Sequence, residues 1–520
     1  MMSSGTNPQS DRPEGGGSGS AAWELLLPVA EQPARRRGRA LQSALREAVR
    51  SGRLVPGTRL PSSRALAADL RVSRGLVTEA YEQLTAEGYL RSGRGAGTWV
   101  SEAVRAPVPG ARDLAPRAVG VRVDFRPGTP DLSLFPRGAW AAAHRSVLGR
   151  LPHSALGYPD PRGLPVLRDA LAGLLSRRRG VVADPERLVV CSGVAQATTL
   201  LGFVLHGRGI GTVGVEDPGS PEHSALFASA GIATFGLPLD AEGLAAEPLV
   251  RSGVRAVVTT PAHQFPTGIA YSADRRSRLL DWARAVDGLI VEDDYDGDFR
   301  YDRAPVGALQ GLDPEHVAYT GSVSKSLAPG LRLGWLLAPA AMTEEIVARK
   351  RTMDLGNPAI DQAVLADFIN RGGYDRQLRR CQRAYRERRD TLTSMLAECF
   401  PGTEVSGIAA GLHIIATLPE RYGPEPVFMA RAAGSGVALR PLGACGTLPS
   451  GDRAVRLVIG YAHLTPPDIE QGVRLLAAAQ RDADGPDGGG AGAGCSSEVG
   501  VRAVDGNEGG VGRPATRSSR

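Results

Sequence analysis

Lysine is almost absent from this chain: of 61 basic residues only Lys325 and Lys350 are lysine, and the rest are arginine. Arginine stays protonated and cannot form an imine, whereas a lysine amine can lose its proton and attack an aldehyde. Where arginine supplies the ordinary surface charge, a remaining lysine invites a chemical explanation. Cysteine is scarce as well. Cys191, Cys381, Cys399, Cys445 and Cys495 are odd in number and scattered, with no C-x-x-C pair and no histidine cluster beside them. That argues for reduced thiols and against a structural zinc site or a bound metal. Long apolar runs are also missing, and none reaches the ~20 residues that a membrane-spanning helix needs. The opening MMSSGTNPQSDRPEGGGSGS lacks the basic and then apolar segments of a secretory signal. A cytoplasmic protein without a membrane partner is expected.

What is present has ordinary globular composition, 42% hydrophobic and 22% charged over 520 residues. That length is well past the size at which one core stops growing, so two or more folded units are expected. Residues 1–30 and 481–520 are rich in Gly, Ser and Pro with few large apolar groups, and disorder is expected at both ends. The stretch APVPGARDLAPRAVG, residues 106–120, has linker composition and separates residues 31–105 from 121–480. Charge divides the chain at the same place. Residues 31–105 hold 14 arginines against 7 acidic residues, a net +7, while the whole chain is only +6. Such a concentration of base is the footprint of a module that neutralises nucleic-acid phosphates.

Within that segment Ala40, Leu41, Ala44, Leu45, Ala48 and Val49 recur at helical spacing, and Gly52 with Pro56-Gly57 ends the helix. A short helix is predicted over Arg64 to Leu70. After an Arg71-Val72 turn, Ser73 is placed to cap a third helix in which Val77, Ala80, Tyr81 and Leu84 form one apolar stripe. Two helices joined by a short turn make a helix-turn-helix, with Arg74, Gly75 and Thr78 left on a free flank. Tyr89-Leu90 and Thr98-Trp99-Val100, joined by SGRGAG, read as a two-stranded wing. Through GRLVPGTRLPSSRALAADL, VSRGLVTEAYEQLTAEGYL and GRGAGTWV the segment resembles the winged helix of the GntR regulators. The resemblance implies double-stranded DNA as partner. It implies contacts from Arg64, from Ser73, Arg74 and Thr78 on the recognition helix, and from Arg94 and Gly95 at the wing tip. Arg74 has the bidentate fork that suits a guanine edge, and Arg64 suits a phosphate. Gly75 stands where a hydroxyl residue is often found, which thins the base-reading surface.

From about residue 185, β-rich runs each end in a polar or glycine-rich motif: LVVCSGVAQ, GTVGVEDPGS, AVVTTPAHQFPTG, LIVEDDYD, VAYTGSVSK and LGWLLAP. Their alternation with helical stretches predicts a mostly parallel, doubly wound sheet with ligands at the carboxyl ends of its strands. In TGSVSKSLAPGLRLGW, Lys325 follows two small hydroxyl residues and precedes Arg332 by seven positions. Ser322, Ser324 and Arg332 can hold a phosphate while the lysine joins an aldehyde, the arrangement that a pyridoxal 5'-phosphate (PLP) Schiff base requires. In LIVEDDYDGDF the apolar run ends at Asp293, with Tyr295 two residues further on. A carboxylate there can keep a pyridine nitrogen protonated, and a phenol can bond the ring oxygen. An acidic cluster after a strand also suits a metal, but no histidine or second carboxylate motif at suitable spacing supports one.

These motifs resemble fold type I aminotransferases, from DFRPGTPDLSLFP through LGYPDPRGLPVLRDAL to RLVIGYAHL. With the winged helix, the chain is similar to the MocR subfamily of GntR regulators. The resemblance implies an α/β architecture, a winged helix-turn-helix followed by a PLP-dependent aminotransferase-like domain, and a homodimer with cofactor sites near the subunit contact. By it, Ala195 and Gln196 offer the phosphate their backbone or side chain, and Tyr158 reaches the phosphate held by the partner subunit. Arg456 takes an amino acid's carboxylate, and either His263 or Gln264 contacts the ring oxygen. The chain departs from the pattern at Ser220, where such sites commonly carry an aromatic stacked on the pyridine ring, and at Glu222, where a basic or small residue is more usual. Lost stacking forfeits only about 0.5–1.5 kcal/mol, and His223 is a candidate substitute. Lys350, in ARKRT on a predicted helix, is expected to be dispensable. The resulting expectation is a DNA-binding regulator that responds to PLP or to an amine or amino acid effector. The alternatives are a working aminotransferase that carries a DNA-binding domain, and a regulator whose large domain has lost its cofactor.

Overall fold

The computed structural model describes residues 29, 32–93, 97–103, 120–301, 306–407, 409–447 and 454–481. They fall into two compact units divided between Arg117 and Ala118. Arg94, Gly95 and the expected linker, apart from Gly120, lie outside the described residues, as does nearly all of both terminal segments. Val29 is an exception to the disorder expected over residues 1–30, because it is buried in the core of the first unit.

The first unit consists of α1 (Arg37–Arg50), β1 (Arg59–Leu60), α2 (Ser63–Asp69), α3 (Arg74–Ala86), β2 (Leu90–Gly93) and β3 (Gly97–Val100). Side-chain caps start both helices of the helix-turn-helix: Ser62 Oγ accepts from Ala65 N–H at 3.1 Å and Ser73 Oγ from Leu76 N–H at 3.3 Å. Each satisfies a donor that the helix geometry leaves orphaned. The predicted stripe of Val77, Ala80, Tyr81 and Leu84 is buried against Leu41, Leu45 and Leu66, and the Tyr81 hydroxyl donates to the Pro61 carbonyl at 3.0 Å. The wing differs from the expected two strands. Arg59 and Leu60 pair with Trp99 and Thr98, adding β1 as a third strand in the order β1-β3-β2. The Arg59 and Arg91 guanidinium groups stack over the Trp99 ring at 5.8 and 6.0 Å, which fixes the strands to each other.

The second unit is organised by an eight-stranded sheet. Along the chain its elements are β4 (Leu188–Cys191), α4 (Val194–Gly207), β5 (Thr212–Asp217), α5 (Pro221–Ser229), β6 (Ala233–Asp240), β7 (Gly243–Leu244), β8 (Ala256–Thr259), β9 (Leu289–Asp293), β10 (Val317–Ser322) and β11 (Gly334–Leu337). The spatial order is β4-β11-β10-β9-β8-β5-β6-β7. Neighbours from β10 to β6 are parallel, whereas β11 runs antiparallel to both β10 and β4, and β7 runs antiparallel to β6. Both faces are covered: Leu188 and Val190 enter one apolar cluster, while the alternate residues Val189 and Cys191 enter another. A strand buried on both sides reads as a continuous apolar run, which is how LVVC appears in the sequence. Helices α6 (Ala340–Asp354) and α7 (Gly373–Cys399) lead to a smaller antiparallel sheet, with β12 (Glu404–Ser406), β13 (His413–Leu418), β14 (Arg440–Pro441) and β15 (Val455–Gly460) in the order β12-β13-β15-β14.

Candidate functional site

At the carboxyl end of β4, Ser192 and Gly193 turn directly into α4. Gly193 has φ +90°, and a Cβ there would stand 3.0 Å from the Arg332 guanidinium, so glycine preserves the gap between helix start and arginine. Arg332 is itself left-handed at φ 50°, and its Nη2 donates to the Ser192 carbonyl. Gly334 is in register with both Ser322 and Cys191, which brings the serine motif, Arg332 and the start of α4 to one place. Ser324 N–H donates to Ser322 Oγ at 3.3 Å. The first N–H groups of α4, those of Ala195 and Gln196 included, have no acceptor within the helix, and the helix dipole adds a partial positive charge. These groups together offer donors suited to a phosphate.

The side chain of Gln196 is not available to such a phosphate, contrary to one of the two roles expected for it. Its Oε1 accepts from Ser192 N–H at 2.7 Å and its Nε2 donates to Asp354 at 2.6 Å, leaving only its backbone for an anion. Behind it sits Lys350, expected to be dispensable, whose side chain is 0% exposed. Its Nζ donates to Asp354 and to Asn357, both at 2.7 Å, and reaches Gln196 Oε1 at 3.4 Å. Asn357 completes the network by donating to Ser192 Oγ at 2.8 Å. Burial alone would raise the Asp354 carboxyl, but the bonds from Lys350, Gln196 and the Gly356 N–H hold it below the usual range. Both lysines therefore lie close to the turn at Ser192, Lys325 after β10 and Lys350 behind Gln196. The scarcity that singled out Lys325 applied equally to Lys350.

Lys325 follows β10, and its Nζ donates to the Gly128 carbonyl at 2.5 Å. Burial lowers its pKa, against the opposing pull of Asp296, Asp293 and Glu222, whose charges all reach it. Asp293, at the end of β9, is bonded through Oδ2 to His223 Nε2 at 3.0 Å. For His223, burial favours the neutral ring, yet the bond to Asp293 and the charges of Glu216 and Glu222 outweigh it and raise its pKa. The His223 ring is thus held against the Asp293 carboxylate. The Tyr295 hydroxyl lies 3.0 Å from His263 Nδ1, which also faces Asp296 at 3.0 Å. Gln264 instead turns into its own loop, with Oε1 accepting from Thr267 and Nε2 donating to the Pro218 carbonyl. Of the two residues left open by sequence, His263 is the one beside Tyr295.

Ser220 Oγ donates to Glu222 at 2.7 Å. Burial raises the Glu222 carboxyl, but that bond and the charges of Arg440 and His223 hold it lower. Arg456 lies on β15, two positions from Val458, so the two side chains share a face of the small sheet. Val458 packs with Ile415, Leu442, Cys445 and Phe265, and Phe265 meets Tyr295 edge-on at 6.1 Å. Tyr158 is 90% exposed and takes no part in the pocket of its own chain. Taken together, Arg332 with the start of α4, the Lys325 amine, the Asp293 carboxylate and the Tyr295 phenol form the donor set that PLP's phosphate, aldehyde, ring nitrogen and ring oxygen call for, and the residues fit that group. Sequence reasoning did not identify the Lys350 network, the His223 to Asp293 bond or Arg440.

In the first unit, Arg64, Ser73 and Arg74 are exposed and Thr78 is half-buried at the opening of α3, on the flank left free by the core stripe. Arg46, on α1, is instead engaged with Glu87 at 2.8 Å.

The gntR family of bacterial regulatory proteins matches residues 38–100, and the aminotransferase class I and II family matches residues 130–476. The "HTH-type pyridoxine biosynthesis transcriptional regulator PdxR" of Corynebacterium glutamicum is 34% identical over 380 residues, covering 72% of this chain and 82% of its own length. The "Probable rhizopine catabolism regulatory protein MocR" of Rhizobium meliloti is 33% identical over 468 residues, covering 85% of this chain and 93% of its own. Among solved structures, an archaeal alanine:glyoxylate aminotransferase aligns with a TM-score of 0.62 at 27% identity, covering 69% of this chain and 91% of that one. The chain belongs to the MocR-type GntR regulators, DNA-binding transcriptional regulators in which a gntR-family winged helix is joined to an aminotransferase class I and II domain.

Proposed function

We propose that this regulator holds PLP on Lys325 and changes its hold on DNA when PLP, or an amine or amino acid effector, occupies that pocket. The observation that carries the reading is the position of Lys325: a half-buried amine of lowered pKa, between an anion site at Arg332 and the Asp293–His223 pair. PLP, when bound, supplies an aldehyde that joins amines and an electron-poor ring. Lys325, whose proton burial makes easier to lose, is the nucleophile for that aldehyde. Arg332, Ser322, Ser324 and the backbone N–H groups of Ala195 and Gln196 orient the phosphate. Asp293, backed by His223, keeps a proton on the ring nitrogen, and Tyr295 bonds the ring oxygen.

Arg456 is proposed to receive an effector's carboxylate, and Tyr158 to reach the cofactor phosphate across a homodimer contact, within a cytoplasmic protein. On DNA, Ser73, Arg74 and Thr78 read or position bases, while Arg64, with Arg94 and Gly95, holds the backbone. The test is a visible-spectrum titration of the purified protein with PLP and then with a panel of amines and amino acids, each followed by a DNA-affinity measurement. Spectral binding that leaves DNA affinity unchanged for every ligand would overturn the sensing role. A second reading, a working aminotransferase, is favoured by the likeness to solved aminotransferases at 27% identity. Sustained turnover with an amine donor and a keto acid acceptor, unlinked to DNA affinity, would establish it instead.

A further inference from the structure

Helix α7 of the aminotransferase-like unit carries Arg376, Arg379, Arg380, Arg383 and Arg386, which are all exposed and line one groove together with Arg300. Their spacing of three and four places them on one helix face, and the segment RQLRRCQRAYR, residues 376–386, contains no acidic residue. Like charges at this spacing repel, so the stripe destabilises the isolated helix. Several other arginines of this unit are paired with carboxylates: Arg208 with Glu345, Arg187 with Glu315, Arg284 with Asp313, and Arg178, packed nearby, with Asp298 and Asp375. Arg376, Arg379, Arg380 and Arg383, by contrast, make no ion pair among the described residues, while Arg386 donates to the Tyr301 carbonyl at 2.5 Å.

We propose that this groove is a second DNA-binding surface, which grips the phosphate backbone without reading sequence. The proposal rests on the chain's membership of a DNA-binding family and adds a site outside the winged helix. A run of 11 residues of α-helix is about 15 Å long, enough to meet two or three successive phosphates of one strand. The chemistry favours DNA over an acidic protein, because protein contacts need an apolar centre and none of the exposed large apolar side chains lies on α7. It also favours an extended polyanion over a small phosphate ligand, since the guanidinium groups are strung along an open line rather than converging in a buried site.

The experiment measures binding of the full-length protein to a 60-base-pair mixed-sequence duplex between 50 and 200 mM salt. Four proteins are compared: the wild type, the groove variant R379Q/R383Q, an equal-charge control R137Q/R145Q on exposed arginines elsewhere, and the winged-helix variant R64Q/R74Q. Losing two phosphate contacts should lower the slope of log affinity against log salt by about 1.8. Over this fourfold salt range the wild type should then lose about 12-fold more affinity than the groove variant. The control should keep the wild-type slope, and circular dichroism should show the groove variant folded. An unchanged slope in the groove variant, or an equal drop in the control, overturns the proposal; a slope that falls only in the winged-helix variant does so while leaving the DNA-binding family assignment intact.

Discussion

Lys350→Met tests whether the phosphate end of the pocket is held from beneath. Methionine keeps most of the volume of a fully buried side chain but removes the ammonium that bonds Asp354 and Asn357 at 2.7 Å. Breaking a buried ion pair from one side costs about 3–5 kcal/mol, because the remaining charge stays unpaired. The Asp354 side chain is 25% exposed and can recover some hydration, so the lower end, about 3 kcal/mol, is expected. With an unfolding entropy of about 2.1 cal/mol/K per residue over roughly 360 ordered residues, that shifts the melting temperature of the second unit down by about 4 °C. Gln196 would also lose the anchored Asp354 that orients it, so PLP affinity should fall together with stability. Differential scanning calorimetry and a PLP titration read the two effects. The double variant Lys350→Met/Asp354→Asn removes both charges and should recover part of the loss. A Lys350→Met protein that melts within 1 °C of wild type and binds PLP equally well would refute the reasoning, and a double variant no better than the single would show that charge is not the cause.

Lys325→Ala should abolish the borohydride-fixable attachment of PLP, and its persistence in that variant would sink the assignment; in the wild type the rate of attachment should rise with pH through a midpoint below the ordinary lysine value of about 10.4, because burial favours the neutral amine. Arg74→Ala should cost specific DNA binding about 1–3 kcal/mol at fixed salt, whereas Arg46→Ala, which loses contacts to Glu87 and Tyr89 within the unit, should matter less; equal losses for Arg74→Ala on specific and random duplexes would mean that Arg74 touches phosphate alone. Glutamate should be a poorer effector than a neutral or basic amino acid, since the Glu222 carboxylate acts on Lys325, and Glu222→Gln should narrow the difference. Tight glutamate binding that the variant leaves unchanged would place Glu222 outside the effector's reach.

Legibility in the sequence followed the range of the interactions. Ser73 as a helix cap, the Val77 to Leu84 stripe and the run LVVC each depend on residues a few positions apart, and each formed as expected. The motif ends Asp293 and Lys325 were readable because a parallel sheet delivers its strand ends to one edge, and Arg332 joins them because the strand after it runs antiparallel and so starts at that edge. What escaped were pairings across long separations. His223 meets Asp293 from 70 residues away, and Gln196 meets Asp354 from 158. No local period encodes either bond. Strand β1 was missed for a different reason: Arg59 and Leu60 are too short a run for alternation to show, and only the register with Trp99 and Thr98 makes them a strand.

The two ends of the pocket differ in how they are built, and that difference bears on what controls the regulator. Near Asp293, Ser220 is bonded to Glu222 and offers no ring to stack on a pyridine, while the His223 ring is held against Asp293. An absent aromatic forfeits about 0.5–1.5 kcal/mol, or roughly 2- to 12-fold in affinity. At the phosphate end, Arg332, the start of α4 and the serine motif converge, and Lys350, Asp354 and Asn357 brace them from behind. On the proposed reading, cofactor affinity would rest mainly on the phosphate contacts and on Lys325, while the ring face, with Ser220 in place of an aromatic and Glu222 and Arg440 nearby, would be left to distinguish effectors. Substitutions at the phosphate end should empty the pocket of PLP and of effector alike, whereas substitutions at Ser220, Glu222 or Arg440 should leave PLP bound and change which amine the regulator answers to.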